Sequence, residues 1–219
     1  MNKSSNSLSE APHARQILQA LKKHHGKAET ALAWDNPWQL LVAVILSAQC
    51  TDERVNLVTP PLFAKWPGPG DLAAADLEDL RAAIASVNFY NNKAKHIHAA
   101  ATLIAEKHGG EVPQTMEELV ELPGAARKSA NCVLGTGFGM AVGVVVDTHV
   151  GRLARRMGLS EHKDPVKVEK DLMALFPKKQ WVWLSHALID HGRAVCTSRK
   201  AKCEECPLES LCPKLLDNS

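Results

Sequence analysis

The sequence predicts an all-α fold, and three observations carry that prediction. Apolar residues recur at helical spacing in one segment after another. Helix starts are marked by capping residues, twice followed by proline, at Asn36-Pro37 and Asp164-Pro165. No strand-like alternation, fixed-period repeat or low-complexity tract interrupts the pattern. At 219 residues with 45% hydrophobic content, the chain can bury a core as one domain or as two small ones. A net charge of +2 permits a polyanionic partner without demanding one. The polar start, MNKSSNSLSEAPHAR, lacks the apolar centre of a secretory signal, and the longest apolar run, Leu40 to Leu46, is too short to span a bilayer. A soluble intracellular protein with no membrane association is therefore expected, and its cysteines should bind metal or lie buried rather than pair.

The elements follow in order. Residues 1 to 11 read as a disordered lead. Ile17, Leu18 and Leu21 then place an amphipathic helix over residues 12 to 25, stopped by Gly26. Asn36-Pro37 opens the helix WQLLVAVILSAQ, apolar nearly all round and so suited to the middle of a bundle. Gln49 closes it, and Cys50 beside it reads as a small buried residue. The next helix, residues 53 to 66, should be interrupted at Pro60-Pro61. Leu77, Leu80 and Ile84 mark another, and Ile97, Ala101 and Ile104 one that ends at Gly109-Gly110. Val168, Leu172, Leu175 and Phe176 form a stripe behind the Asp164 cap, and Trp181, Leu184 and Leu188 a last helix ending at Gly192.

The chemistry concentrates between Leu122 and His149. Thr115 and Glu118 form a capping box, so a helix begins near 115 and must stop at Pro123-Gly124. A second helix starts near Arg127 with its amides exposed, an arrangement that can hold a phosphate without reading sequence. Lys128 sits in the first turn, where the positive end of the helix dipole favours the free, nucleophilic amine. A lysine there can equally be a solvated surface group. Asp147 reads as the N-cap of the helix carrying Leu153 and Met157, whatever else it does.

Cys196, Cys203, Cys206 and Cys212 stand in a C-x6-C-x2-C-x5-C array. Thiolates in so tight a loop suit a [4Fe-4S] cluster or zinc, and the compactness favours the cluster over two separated zinc knuckles. Around the array, Arg193, Arg199, Lys200 and Lys202 occur between His191 and Cys203 with no acidic residue among them.

Together these residues resemble the endonuclease III family of base-excision DNA glycosylases. Its hairpin reads Leu-Pro-Gly-x-Gly-x-Lys-Thr-Ala, matched by Leu122, Pro123, Gly124, Ala126, Lys128, Ser129 and Ala130. Its loop ends in Val-Asp-Thr-His, matched by Val146, Asp147, Thr148 and His149. Ser47 to Asp52 resembles the family's Ser-Ala-Gln-x-Thr-Asp segment, Val87 to Ala94 its Gly-Leu/Phe-Tyr-x-x-Lys-Ala turn, and the cysteine spacing its cluster loop. The resemblance implies two helical lobes flanking a DNA cleft: residues 30–140 as a six-helix lobe with the hairpin, and 1–29 plus 141–219 as a cluster lobe. It implies a [4Fe-4S] cofactor on the four cysteines, Lys128 and Asp147 as catalytic residues facing each other across the cleft, and a monomer acting on double-stranded DNA with an oxidised pyrimidine or abasic site. Gln49 and Phe89 would enter the base stack, while Gly124, Ala126, Arg127, Arg199, Lys200 and Lys202 would lie against the backbone.

The implied activity is excision of oxidised pyrimidines followed by β-elimination through a lysine Schiff base. Three departures bear on it. Ala126 replaces the second hairpin glycine, Asn88 a glycine of the Val87 turn, and GFGMAVGVVVD before Asp147 lacks a proline. Ala126 and Asn88 leave open a catalytically weakened iron-sulfur damage sensor. A monofunctional mismatch adenine glycosylase is the other alternative; that type generally lacks the hairpin lysine and carries a further C-terminal domain, whereas Lys128 is present and the chain ends soon after Cys212.

Overall fold

Side chains that close the first amides of a helix set the starts of most elements. In the computed structural model, which describes residues 12–215, Asn36 Oδ1 accepts from Gln39 N at 3.0 Å, and Asp164 Oδ1 accepts from Lys167 N at 2.9 Å. Thr51, Asp76, Thr115 and Asp147 cap in the same way. The helices are α1 (Pro12–His25), α2 (Pro37–Ser47), α3 (Asp52–Lys65), α4 (Pro69–Ala73), α5 (Leu77–Ala83) and α6 (Tyr90–Lys107). They continue with α7 (Met116–Glu121), α8 (Arg127–Cys132), α9 (Thr148–Arg156), α10 (Pro165–Leu175) and α11 (Trp181–Ala194). The fold is all-α, and among the described residues the only sheet-like feature is a single bridge between Cys196 and Ala201. The stretch expected to be a disordered lead lies outside the described residues. No helix among them is long and apolar enough to cross a membrane.

Four expectations need correction. Helix α3 runs through Pro60 and Pro61 without a break. Proline costs an interior hydrogen bond, but Val55, Val58 and Leu62 are buried on one face and hold the helix in place across the gap. Helix α11 does not stop at Gly192, which lies inside it and is buried: a Cβ there would come within 2.8 Å of His149 Nδ1, so the glycine admits α9 instead of ending α11. Gln49 does not continue α2, which ends at Ser47, and Cys50 is half-buried. The short α4, opened by Gly68 and Pro69, carried no periodic signal, yet it seats Leu72 in the core beside α6.

The chain divides into two compact units. One comprises Thr30–Met140. Its centre is α2, whose Leu40, Leu41, Val42, Ala43, Ile45 and Leu46 are all buried, packed against α3, α6 and α8. Burial on every face explains why α2 shows so little amphipathicity. The other unit comprises Met1–Glu29 with Ala141–Ser219. Here Ile17 and Leu21 of α1 share a core with Val150 and Leu153 of α9, Leu172 of α10 and Leu184 and Leu188 of α11. Fully burying each such side chain contributes about 1.5–3 kcal/mol.

Candidate active site and cysteine loop

The hairpin in the Thr30–Met140 unit is built on Gly124. Its φ of +86° is left-handed, and a Cβ would stand 3.0 Å from His96 Cβ and 3.1 Å from Ile45 Cγ2. Both backbone and space therefore exclude other residues. Leu122 is buried beneath the turn, and Ala125 N donates to Leu122 O at 3.0 Å. Ala126, by contrast, has φ −75° and ψ 168°, ordinary extended backbone at the N-cap of α8. The position does not require the family's glycine. Arg127 and Lys128 follow in the first turn, both exposed. Helix α8 then passes into a single π turn, Val133–Gly137, which the sequence did not signal. Between the two, burial pushes the Cys132 thiol up, with Thr136 and Lys128 opposing the shift.

In the same unit, Gln49 and Phe89 are both exposed, with left-handed φ of 54° and 58°. A non-glycine residue adopts that conformation at a cost of about 1–2 kcal/mol. Phe89 is 62% exposed, so it does not simply pack between its flanking helices. Buried Lys93 holds the neighbouring end of α2, its Nζ donating to Leu46 O at 2.7 Å and Ala48 O at 2.6 Å. Burial lowers its pKa, while the carbonyl end of the helix supplies the acceptors that favour the ammonium.

Asp147 belongs to the other unit. It caps α9 by accepting from Val150 N at 2.8 Å and is half-buried. Where the loop before it lacks proline, buried Val144 and Val146 and a bond from Val145 N to Ser185 Oγ at 2.9 Å fix the backbone instead.

Cys196, Cys203, Cys206 and Cys212 line one cavity, walled by apolar Met157, Val195 and Leu208. Two arginines of α9 reach into this loop. Arg152 Nη2 donates to Gly192 O and Cys196 O, and Arg156 donates to Thr197 O, Ser198 O and, at 3.4 Å, Cys196 Sγ. Leu208 N and Lys214 N each point at a sulfur, Cys206 and Cys212, at 3.4 Å. His191 is fully buried, and burial, then the neighbouring His25 and His24, pushes its pKa down to about 4. A neutral His191 accepts from His25 Nε2 at 3.1 Å through Nδ1 and offers Nε2–H to Cys206 Sγ at 3.4 Å. Sequence reading did not find these helpers, because they come from α1, α9 and α11 and carry no spacing signal.

Four thiols lining one cavity suit a metal centre held by thiolates. Burial pushes the Cys206 and Cys212 thiols up, and the surrounding cysteines add to the shift, so thiolates at these two positions call for a cationic partner. Arginine and amide donors aimed at sulfur are the outer partners that such thiolates call for. Arg199, Lys200 and Lys202 are exposed on this loop, where Thr197 Oγ1 donates to Lys200 O at 2.6 Å.

An all-helical chain with this hairpin is of a kind with DNA-repair proteins, and residues 42–178 match the HhH-GPD superfamily of base excision DNA repair proteins. Endonuclease III of Synechocystis sp. is 52% identical over 205 residues, 94% of either chain, and that of Bacillus subtilis 48% over 186 residues, 84% of either. The solved structure of a trapped endonuclease III–DNA covalent intermediate superposes with a TM-score of 0.86 at 41% identity, covering 92% of this chain and 96% of that one. The chain belongs to the endonuclease III family and is a base-excision repair DNA glycosylase with AP lyase activity.

Proposed function

We propose that the chain acts as a monomer on duplex DNA, removing oxidised pyrimidines through Lys128 and then cleaving the strand. The observation that carries this reading is the turn at Gly124, which no other residue fits and which delivers an exposed lysine in the first turn of α8. Backbone amides of the hairpin near Gly124 to Lys128 hold a phosphate, and Gln49 and Phe89 enter the stack as the damaged nucleotide leaves it. A damaged base stacks and pairs poorly, so its extrusion costs least.

The Lys128 amine attacks the anomeric carbon as the glycosidic bond breaks, and the electron pair leaves with the base. Asp147 stabilises the cationic sugar in the transition state. Ring opening gives a Schiff base on Lys128; loss of a C2′ proton then expels the 3′ phosphate, and water releases the enzyme. Cys196, Cys203, Cys206 and Cys212 would hold a [4Fe-4S] cluster, which supplies structure to the loop carrying Arg199, Lys200 and Lys202 against phosphates. The monomer accords with exposed large apolar side chains that fall singly on separate segments, among them Leu57, Val120 and Val166.

Borohydride trapping on thymine glycol DNA tests the reading. The parent forms a covalent adduct, and Lys128→Ala loses it together with roughly a thousandfold or more in rate. An adduct undiminished by the substitution overturns the assignment.

A further inference from the structure

Gln49 and Phe89 are tied together, and the tie is a side chain at a position where the family pattern has glycine. Asn88 Nδ2 donates to Gln49 O at 2.7 Å. With the two bonds of Lys93, the carbonyls of residues 46, 48 and 49 at the end of α2 all accept donors from the segment 88–93. The division of labour differs between them. Lys93 is buried and holds the end of the helix itself, whereas Asn88 is exposed and holds one peptide plane beyond it, that of the left-handed Gln49. Asn88 does not have a positive φ, so the residue stands there for its side chain and not for its backbone. Fixing the Gln49 carbonyl fixes the ψ of Gln49, and with it where the exposed side chain points relative to Phe89 on the adjoining turn.

We infer that Asn88 is a positioning residue for base extrusion: its amide locks the Gln49 peptide so that Gln49 and Phe89 present themselves to the duplex as one rigid pair. The inference rests on the reading above that these two residues enter the stack. A held pair loses less conformational freedom on insertion than two independently mobile side chains, so the lock acts on the opening of the duplex and not on the chemistry at the sugar. Because Asn88 and the carbonyl it holds are exposed, water replaces the bond when the amide is removed, and the fold does not depend on it.

Single-turnover excision of thymine glycol from duplex DNA, set beside cleavage of a preformed abasic site in single-stranded DNA, separates the steps. Asn88→Ala is expected to slow excision from the duplex about three- to tenfold, in line with the loss of one hydrogen bond. It should leave melting temperature and single-strand cleavage unchanged, and it should cost nothing further in a Gln49→Ala background. Parental excision by Asn88→Ala while Gln49→Ala is slow overturns the inference, as does an equal loss with and without the Gln49 side chain. Parental excision by Gln49→Ala and by Phe89→Ala sinks the stack-entering reading itself, and the positioning role falls with it.

Discussion

The hairpin and the cysteine loop both present basic residues, yet they are held in opposite ways. Around Gly124 the shape is main-chain work: a left-handed glycine, a bond from Ala125 N to Leu122 O, and a buried leucine beneath. The bonds that close the turn lie within a few residues, although His96 and Ile45 pack against it from other helices. The loop from Cys196 to Cys212 has one bridge and a single turn of 3-10 helix, and is fastened by arginines about 40 residues earlier in the chain and by whatever its sulfurs bind. A locally determined turn keeps its form without a ligand, whereas a loop fastened from outside depends on each fastening.

That contrast can be broken most forcefully at Arg156. Replacing it with Met leaves the Thr197 and Ser198 carbonyls without their donor, a loss of about 4 kcal/mol if neither finds water. Bound metal per chain should fall, and amide exchange should rise over residues 196–212 while staying unchanged over 122–132. Faster exchange in both segments would show that the two loops are not held independently. A smaller effect is expected at Gly124→Ala, about 2 kcal/mol from its left-handed φ and the tight approach to His96 and Ile45. Denaturant unfolding should register the loss and DNA binding should weaken, with metal content intact. The least effect, about 1 kcal/mol, is expected for Asp164→Ala, which removes only the cap of α10. Melting should shift by a few degrees without altering either metal or DNA binding.

Much of the fold was legible because helices announce themselves locally. Asn36, Asp164 and Thr115 closed their helices where their sequence context placed them, and the stripe of α1 lies in the core as its spacing required. The failures have a common origin. Pro60-Pro61 looked like a break because propensity is local, while the burial of Val55, Val58 and Leu62 that overrides it is not. Gly192 looked like a terminus because the approach of His149 from another helix cannot be read from neighbours in sequence.

The amino-acid order by itself determined the helical class, the glycine turn that delivers Lys128, the cap at Asp147 and the cysteine spacing, since each depends on contacts within about one helical turn. Tertiary structure alone decided that Arg152, Arg156 and His191 attend the cysteines, that Gln49 and Phe89 are both left-handed and exposed, and that Asn88 reaches the Gln49 carbonyl. The physical reason is the range of the contacts: these side chains meet partners 15 to 44 positions away, a separation over which spacing in the sequence carries no record of who touches whom.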